Sequence, residues 1–307
     1  MKKRYNQYSQ HLEKNFGCKV YKITLDVGFS CPNRDGSLSF DGCIFCDTGG
    51  SFSRAHNNLL SIEKQLEISM ERLKKRFKAE KFISYFQAFS NTYASLDYLK
   101  NTYDKALFHK DIIGLSIGTR PDCIDAEKIA LISSYAQNYY VWVEYGLQSI
   151  HDKTLKFINR GHTADDFIKA VKMTQNKNIN ICVHVIIGLP GESREDILTT
   201  AKVLADLGIN GIKIHLLCVL KGTKLEEMFY KNEIKLFSAN EYVDIVCDFL
   251  ENLPPEVIIH RLAGNGLKEI LIAPEWLSEK FKILNQIDKE LEKRDSYQGQ
   301  GLCSELT

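Results

Sequence analysis

The chain has 307 residues, 44% of them hydrophobic, which permits either one large α/β barrel or two domains of average size. Lys and Arg total 40 against 39 for Asp and Glu, so the net charge of +1 excludes attraction of nucleic acid by the field of the whole molecule. Nine cysteines, an odd number with no apolar leader before them, argue against a secreted disulfide framework and predict a reducing, cytoplasmic location. No stretch approaches the roughly 18 apolar residues of a membrane span, so no membrane association is expected.

The first predicted elements are an amphipathic helix over residues 3–16, ended by Gly17, and an alternating strand over residues 18–26. A second helix is predicted over residues 59–81. Its polar face carries Lys64, Arg72, Lys74, Lys75, Arg76, Lys78 and Lys81. These charges fit either a solvated helix face or a surface that binds a polyanion.

From residue 82 onward, an apolar run, a polar loop and a helical stretch repeat. The runs cover residues 82–89, 111–118, 139–146, 179–188 and 209–217, and the helical stretches cover 94–109, 125–137, 150–159, 163–176 and 193–207. Strands that are apolar on both faces and alternate with helices indicate a parallel sheet, and the first strand brings the count to six βα units. The expected fold is an α/β partial (βα)6 TIM-type barrel with a small C-terminal cap; a doubly wound open sheet is the alternative.

This pattern divides the chain into three parts. Residues 1–218 form the predicted barrel, with a ligand loop at 26–53 after the first strand. Residues 219–300 form a C-terminal extension packed on the barrel, with a helix over 239–253 and a short strand and glycine turn over 256–266. Residues 301–307 are expected to form a mobile tail.

The ligand loop contains Cys31, Cys43 and Cys46, with eleven residues between the first two and two between the last two. Three thiolates on a loop can hold an iron-sulfur cluster by three of its four irons and leave the fourth iron open. Zinc is the chemical alternative, with His56 or Asp47 as a fourth ligand, and a closed tetrahedral zinc would be structural. The cysteines could also be unligated, so spacing alone leaves three interpretations.

Polar residues and glycines also follow the other strands, at the edge where ligands bind in either architecture. They are Gln87, Ser90, Asn91 and Thr92; Gly118, Thr119, Arg120 and Pro121; Glu144, Gly146 and Gln148; His184, Gly188, Leu189, Pro190, Gly191 and Glu192; and His215 and Cys218. Each one alone fits an ordinary turn, cap or satisfied core residue. Their accumulation at one edge predicts a site there, and inward polar residues such as Glu144 and His184 need a partner or a ligand.

Several motifs together resemble the radical S-adenosylmethionine (SAM) superfamily, and within it the group of YtqA and YhcC, which is related to the catalytic subunit of Elongator and to oxygen-independent coproporphyrinogen oxidase. The motifs run from about residue 5 to 299 and read YNQY, FG, GFSCPNRDG, DGCIFC, SNTYA, GTRPDC, VEYGLQS, INRGHT, IIGLPGE, HLL, KGT, HRLAGNG and RDSYQG. Three features depart from the superfamily norm. The first two cysteines have eleven residues between them instead of three, QAFSNTY replaces a glycine-glycine-glutamate stretch, and His184 stands at the first glycine of the strand-five motif.

This resemblance implies a radical SAM enzyme that holds a 4Fe-4S cluster through Cys31, Cys43 and Cys46. SAM bound to the open iron would accept an electron and give a 5'-deoxyadenosyl radical that abstracts a substrate hydrogen. The implied SAM contacts are Gln148 and His184 at the ribose, Arg160 at the carboxylate, and Asn91 and Thr92 in the stretch after strand two.

The resemblance also implies a substrate, namely the wobble uridine in the anticodon region of tRNA. The implied reaction trims 5-carboxymethylaminomethyl-(2-thio)uridine to the 5-aminomethyl form, with an electron donor of the flavodoxin or ferredoxin type. The helix at 64–81 and the amino-terminal Lys2, Lys3, Arg4, Tyr5 and Tyr8 are candidates for RNA contact. A radical SAM enzyme acting on a small metabolite, and a zinc-stabilised RNA-binding protein without catalysis, are the alternatives.

Overall fold

A computed structural model of the chain describes residues 3–47, 49–50, 60–264 and 269–303. The strands in this part of the chain are β1 (Val20–Leu25), β2 (Lys81–Phe86), β3 (Ile112–Thr119), β4 (Tyr140–Gln148), β5 (Asn180–Ile187), β6 (Gly211–Leu216), β7 (Val219–Leu220), β8 (Ile258–Arg261) and β9 (Leu271–Ala273). The helices are α1 (Tyr8–Phe16), α2 (Ile62–Phe77), α3 (Leu96–Ala106), α4 (Ala126–Tyr135), α5 (Asp152–Phe157), α6 (Ala164–Thr174), α7 (Arg194–Asp206), α8 (Lys224–Tyr230), α9 (Ala239–Glu251), α10 (Lys280–Lys293) and α11 (Gln300–Cys303), with 3₁₀ turns at Pro121–Cys123 and Glu275–Glu279.

The main sheet has seven strands in the order β1-β2-β3-β4-β5-β6-β8, and every neighbouring pair is parallel. It curls into a half-barrel with helices around it, which confirms the predicted partial barrel over the open-sheet alternative. The seventh strand, β8, comes from the predicted C-terminal extension. Strands β7 and β9 form a separate antiparallel pair.

The two faces of the sheet differ in polarity. Outward residues such as Phe86, Val143 and Val185 are buried in the main hydrophobic core beneath the helices. Inward residues at the middle of the strands are polar, among them Glu144, whose oxygens accept bonds from other strands. The expectation of strands apolar on both faces is therefore wrong for the inner face, where polar side chains replace an apolar interior.

Side-chain caps fix where α6, α7 and α9 begin. Thr163, Ser193 and Ser238 each accept a hydrogen bond from the third backbone N–H of the following helix, and an acidic side chain returns a bond to the cap residue. Such reciprocal caps satisfy backbone donors that have no partner within the helix. The segments that precede these three helices are therefore anchored at their C-terminal ends.

The first helix is shorter than the prediction of residues 3–16, because it begins at Tyr8. The residues before it bond to the C-terminal part of the chain. The amide of Asn6 donates to Gln298 Oε1 at 2.9 Å, and the amide of Ile259 donates to the Asn6 carbonyl at 2.8 Å. An extended segment beside β8 therefore replaces the first predicted helical turn.

Candidate functional site

A cavity of about 310 Å³ opens at the carboxyl ends of the parallel strands. Cys31, Cys43 and Cys46 all line it, together with residues from β4, β5, β6 and β8. The ligand loop therefore lies at the edge predicted from the sequence. Residue 48 and residues 51–53 of that loop, and the zinc-ligand candidate His56, lie outside the described residues.

The segment between α5 and α6 fixes the position of the ligand loop. Asn33 Nδ2 donates to the Asn159 carbonyl at 2.6 Å, and Asn159 Nδ2 donates to the Gly42 carbonyl at 2.7 Å. The amide of Ile44 donates to the carbonyl of Ile158 at 3.1 Å. These bonds give the INRGHT motif a structural role, since they attach the cysteines to the barrel wall.

Nitrogen donors approach the sulfur of Cys43, which is buried. Arg160 Nη1 and Asn33 Nδ2 each lie 3.6 Å from Cys43 Sγ, within the range of an N–H···S contact. Hydrogen bonds to the sulfurs are one of the means by which a protein tunes an iron-sulfur cluster held by cysteines. The surroundings of Cys43 therefore fit a ligand to an iron-sulfur cluster.

Arg160 is itself held in place, because Nε and Nη2 donate to the Gly146 carbonyl at 3.2 and 2.6 Å. Arg120 Nη1 donates to the Arg160 carbonyl at 2.7 Å, and Asp122 binds the rest of the Arg120 guanidinium. Both arginines line the cavity. Arg160 can thus present positive charge beside the cysteines from a fixed position.

Gln148 and His184 also line the cavity, as predicted for SAM contacts. Gln148 ends β4 with a φ of 77°, in the left-handed region that residues other than glycine adopt at a cost. The register between β4 and β5 shifts there, between Gly146 and Gln148. The strand end is thus distorted where the predicted contact lies, which is common at ligand sites.

The structure places Asn91 and Thr92 apart from these residues. Both are buried, and neither belongs to the cavity lining. Asn91 Nδ2 donates to the Gly118 carbonyl at 2.7 Å, and Thr92 Oγ1 donates to the Cys123 carbonyl at 2.8 Å. Their side chains fix the loop after β2, and their contact with SAM stays a prediction.

The remaining candidates at the strand ends divide into two groups. Gln87, Gly118, Thr119, Glu144, Gly146, His215 and Cys218 line the cavity, whereas Ser90, Pro121 and residues 188–192 do not. Glu192 is instead hydrogen-bonded to Ser149. Most of the polar candidates therefore lie together around the cavity.

Glu144 is the centre of a buried polar cluster on the inner face of the barrel. Its Oε1 accepts bonds from Lys22 Nζ at 2.5 Å and from Ser116 Oγ at 2.5 Å. Its Oε2 is bonded to His184 Nε2 at 2.7 Å and to Lys213 Nζ. Sequence reasoning singled out Glu144 and His184 but missed both lysines, although a lysine within an otherwise apolar strand was the available signal.

The charges in this cluster shift one another's pKa values. Burial alone raises the pKa of Glu144, but Lys213 and Lys22 hold it well below its usual range, so the carboxylate stays ionised. Burial lowers the pKa of His184 to about 4, and Lys213 acts in the same direction. Burial also lowers the pKa of Lys213 to about 8, against the effect of Glu144. His184 is therefore neutral at neutral pH beside an ionised carboxylate.

Glu144 and His184, together with Cys182, are also candidates for a metal site. Glu144, Cys182 and His184 place one ligand atom each within 4.8 Å of the others. However, both Glu144 oxygens already bond to ammonium groups, and burial holds the pKa of the Cys182 thiol far above its usual range. A thiol and an occupied carboxylate are poor metal ligands, so the cluster is better described as an ion-pair network.

The described amino-terminal residues that were predicted to contact RNA make contacts within the protein. Tyr5 is buried, Tyr8 stacks on His260 with 3.9 Å between ring centroids, and Lys3 and Arg4 pair with acidic side chains. The rings of Tyr5 and Tyr8 are therefore not free to stack on a base, whereas RNA contact by Lys3 and Arg4, whose side chains are partly exposed, stays a prediction, and Lys2 lies outside the described residues.

The basic helix α2 runs antiparallel to the strands. Near its start, Gln65 Nε2 donates to the Asp26 carbonyl at 2.8 Å, beyond the carboxyl end of β1. Near its end, Lys74 pairs with Asp111 at 2.9 Å, just before the amino end of β3. Most of its positive charge thus lies at the edge of the sheet opposite the cavity.

Comparison with known sequences decides the family. A model described as the Radical SAM superfamily matches residues 30–204, and one described as the Radical_SAM C-terminal domain matches residues 209–293. The first match covers more than half of the chain. The chain belongs to the radical SAM superfamily. It is therefore a radical SAM enzyme whose cofactors are SAM and a 4Fe-4S cluster, which excludes the non-catalytic zinc alternative.

Two relatives illustrate the range of similarity of this radical SAM enzyme. It is 42% identical over 297 residues to the uncharacterized protein YtqA of Bacillus subtilis, covering 97% of this chain and 92% of that protein. It is 31% identical over 158 residues to the tRNA uridine(34) acetyltransferase of Methanocaldococcus infernus, covering 49% of this chain and 28% of that protein. The expected resemblance to the YtqA group is thus confirmed.

A solved structure of another protein shows a similar fold. The Elp3 protein of Methanocaldococcus infernus superimposes with a TM-score of 0.67 at 20% identity, covering 91% of this chain and 64% of that chain. At this level of identity the comparison supports the fold alone. None of the described helices is both long and apolar enough to cross a bilayer.

Proposed function

We propose that this radical SAM enzyme modifies the wobble uridine of tRNA, converting 5-carboxymethylaminomethyl-(2-thio)uridine to 5-aminomethyl-(2-thio)uridine. The observation that carries the proposal is the similarity, over about half of the chain, to a protein named for acting on uridine 34 of tRNA. Only 28% of that protein is matched, so its acetyl transfer is not assigned to this chain.

In this proposal Cys31, Cys43 and Cys46 hold the 4Fe-4S cluster and leave one iron open for SAM. Two observations support the assignment: all three line one cavity, and nitrogen donors approach Cys43 Sγ. When bound, cluster and SAM supply the hydrogen-abstracting 5'-deoxyadenosyl radical.

The protein's own residues orient SAM and exclude water from the reacting atoms. Arg160 is proposed to bind the SAM carboxylate, because it offers fixed N–H donors at the cavity wall. Gln148 and His184 are proposed to bind the ribose, and the neutral imidazole of His184 can do so by hydrogen bonding without adding charge. Asn91 and Thr92 would contribute indirectly, by shaping the loop after β2.

The anticodon region of tRNA is proposed to approach from the carboxyl edge of the sheet. Phe40, on the ligand loop, is 80% exposed and offers a ring on which a base can stack. The charged end of α2 lies at the opposite edge and plays no part in this arrangement. An electron donor of the flavodoxin or ferredoxin type and a cytoplasmic location complete the proposal, the latter based on the odd number of cysteines, nine.

The decisive experiment is anaerobic reconstitution of the protein with iron, sulfide, SAM, a reductant and bulk tRNA from cells that lack this protein. Nucleoside mass spectrometry should show that the carboxymethylaminomethyl nucleoside falls as the aminomethyl nucleoside rises by the same amount. The Cys46→Ala protein should show neither change. SAM cleavage without any change of nucleoside would contradict the tRNA proposal and favour a small-metabolite substrate.

A further inference from the structure

The inner wall of the cavity has an excess of positive charge. Arg261 lines the cavity, Lys22 and Lys213 lie beside it at Glu144, and Glu144 is the carboxylate among the described residues that interacts with them. Both Glu144 oxygens are occupied, one by Lys22 and Ser116 and the other by Lys213 and His184. Glu144 therefore offsets the lysines and has no free oxygen for Arg261.

Arg261 ends β8 and lines the cavity. It stands opposite Lys213 in the pairing of β6 with β8, so two cations occupy adjacent strands. Within the described parts of the chain, its guanidinium has no hydrogen-bonded or ion-paired side chain. A half-buried guanidinium without such a partner is stabilised when an anion accepts hydrogen bonds from two of its N–H groups.

His215 provides a neutral donor beside this cation. It lines the cavity from β6, and its ring centroid lies 5.3 Å from that of His184. Its Nε2 atom is buried without a hydrogen-bond partner among the described residues. An unpartnered buried nitrogen is unfavourable unless a ligand satisfies it. Arg261 and His215 thus both face one cavity with polar atoms that lack a partner among the described residues.

We propose that Arg261 and His215 form a subsite that binds a carboxylate group of the substrate. This inference rests on the proposed function, in which the reacting side chain of the nucleoside ends in a carboxymethyl group. The planar guanidinium matches a carboxylate in a two-bond arrangement, and His215 can donate a third bond. The carboxymethyl group would then lie in the cavity, with the nucleoside extending toward its mouth.

The SAM carboxylate is a separate ligand in this arrangement. Arg160 bonds to the Gly146 carbonyl on β4, beside Cys43, whereas Arg261 lies on β8 at the end of the sheet order. The guanidinium of Arg160 therefore reaches the cavity from the segment between α5 and α6, and that of Arg261 from the end of β8. Saturating SAM should fill the first position and leave the second one open.

The test measures binding to the reconstituted holoenzyme saturated with SAM, by anaerobic calorimetry. The probe is N-benzylglycine, which carries a carboxymethylamino group on a flat ring, and N-benzylglycinamide is its neutral counterpart. We expect the acid to bind at least about tenfold more tightly than the amide, since a charge-assisted pair is lost in the amide.

Variants assign the binding to the subsite. Arg261→Gln should weaken binding of the acid by about tenfold or more, with the SAM dissociation constant unchanged, and His215→Phe should weaken it by a smaller factor. Arg72→Gln, an exposed arginine on α2, is the control and should change neither. If Arg261→Gln does not fold, His215→Phe alone tests the subsite.

Four results would overturn the proposal: no binding of the acid, equal binding of acid and amide, displacement of the acid by SAM, or displacement by inorganic phosphate at concentrations where acetate has no effect. Displacement by SAM would assign the subsite to the cofactor, and displacement by phosphate would assign it to a phosphoryl group. The titration contains no tRNA, so its failure is distinguishable from failure of the nucleoside assay.

Discussion

Glu144 and Lys213 form an ion pair on the inner face of the barrel, and neither side chain reaches bulk solvent, with 0% and 6% of their surfaces exposed. The same carboxylate binds Lys22 from the first strand of the sheet. One acidic residue on β4 thus ties together strands that lie on either side of it. A buried charge left without its partner is strongly destabilising, so these strands depend on Glu144.

The substitution Glu144→Gln should therefore destabilise the fold. It leaves two buried ammonium groups with an amide that cannot offset them, and we expect a loss of about 3–5 kcal/mol in the free energy of unfolding. Calorimetric melting should show a fall of several degrees. Glu67→Gln is the matched control, because its pair with Lys64 is more than half exposed and contributes under about 1 kcal/mol. Equal melting of the Glu144→Gln protein and the wild type would contradict the network.

The ligand assignment predicts which cysteines matter. Cys31→Ala, Cys43→Ala and Cys46→Ala should each abolish formation of 5'-deoxyadenosine by the reconstituted protein and lower its iron content. Cys247→Ala should keep both, because Cys247 is buried in the core on α9 and does not line the cavity. Cys123→Ala should also cleave SAM. A Cys46→Ala protein that still makes 5'-deoxyadenosine would show that the assignment is wrong.

Local patterns in the sequence were sufficient to predict most of the fold. The six apolar runs from the first strand to residue 217 correspond to β1 to β6, and the position of the cysteines directly after the first strand placed the ligand loop at the correct edge. Both signals lie within short stretches, where side-chain periodicity reports directly on the local structure. The position of Cys31 at the cavity follows from strand direction alone.

The polar cluster could not be predicted in the same way. Lys22 and Glu144 are 122 residues apart, and Lys213 is 69 residues beyond Glu144. Only the register of the sheet brings them together, and a single sequence does not encode that register in any local pattern. Lys22 and Lys213 were therefore grouped with their apolar neighbours, although Glu144 and His184 were expected to face inward.

The direction of α2 could have been predicted from the topology of the parallel sheet. A crossover helix between parallel strands must run antiparallel to them, so its C-terminal half lies at the amino edge. The lysines near residue 74 must therefore lie at the edge of the sheet opposite the cavity.

Glycine at position 146 leaves room for two predicted SAM contacts. A Cβ added there would lie 2.7 Å from Arg160 Nη2 and 3.0 Å from Gln148 Nε2. Gly146→Ala should therefore displace both side chains and raise the SAM dissociation constant by about tenfold or more, as measured by anaerobic equilibrium dialysis. Unchanged affinity would argue against Arg160 and Gln148 as SAM contacts.

Gly114→Ala provides a contrast at the other end of the barrel. A Cβ there would lie 2.4 Å from the backbone carbonyl oxygen of Tyr140, which cannot move without shifting β4. This variant should lose about 1–3 kcal/mol of stability from overpacking and keep its SAM affinity where it is folded. The pair of variants thus separates a binding effect from a folding effect.

His184 should make the stability of the protein fall in mild acid. An unfolded histidine titrates near pH 6.5, whereas burial lowers the pKa of His184 in the folded protein to about 4. Between these values the unfolded state binds a proton that the folded state does not, so stability is lost as the pH falls from about 6.5 to about 4 and is constant above that window. The expected contribution is roughly 3 kcal/mol.

His184→Asn should be less stable than the wild type at pH 7.5, but its free energy of unfolding in urea should decline less steeply between pH 7.5 and 4.5. If the free energies of unfolding of the two proteins declined in parallel, His184 would take up its proton in the folded protein as readily as in the unfolded one. Only an imidazole that stays neutral in the folded protein gives the wild type the steeper slope.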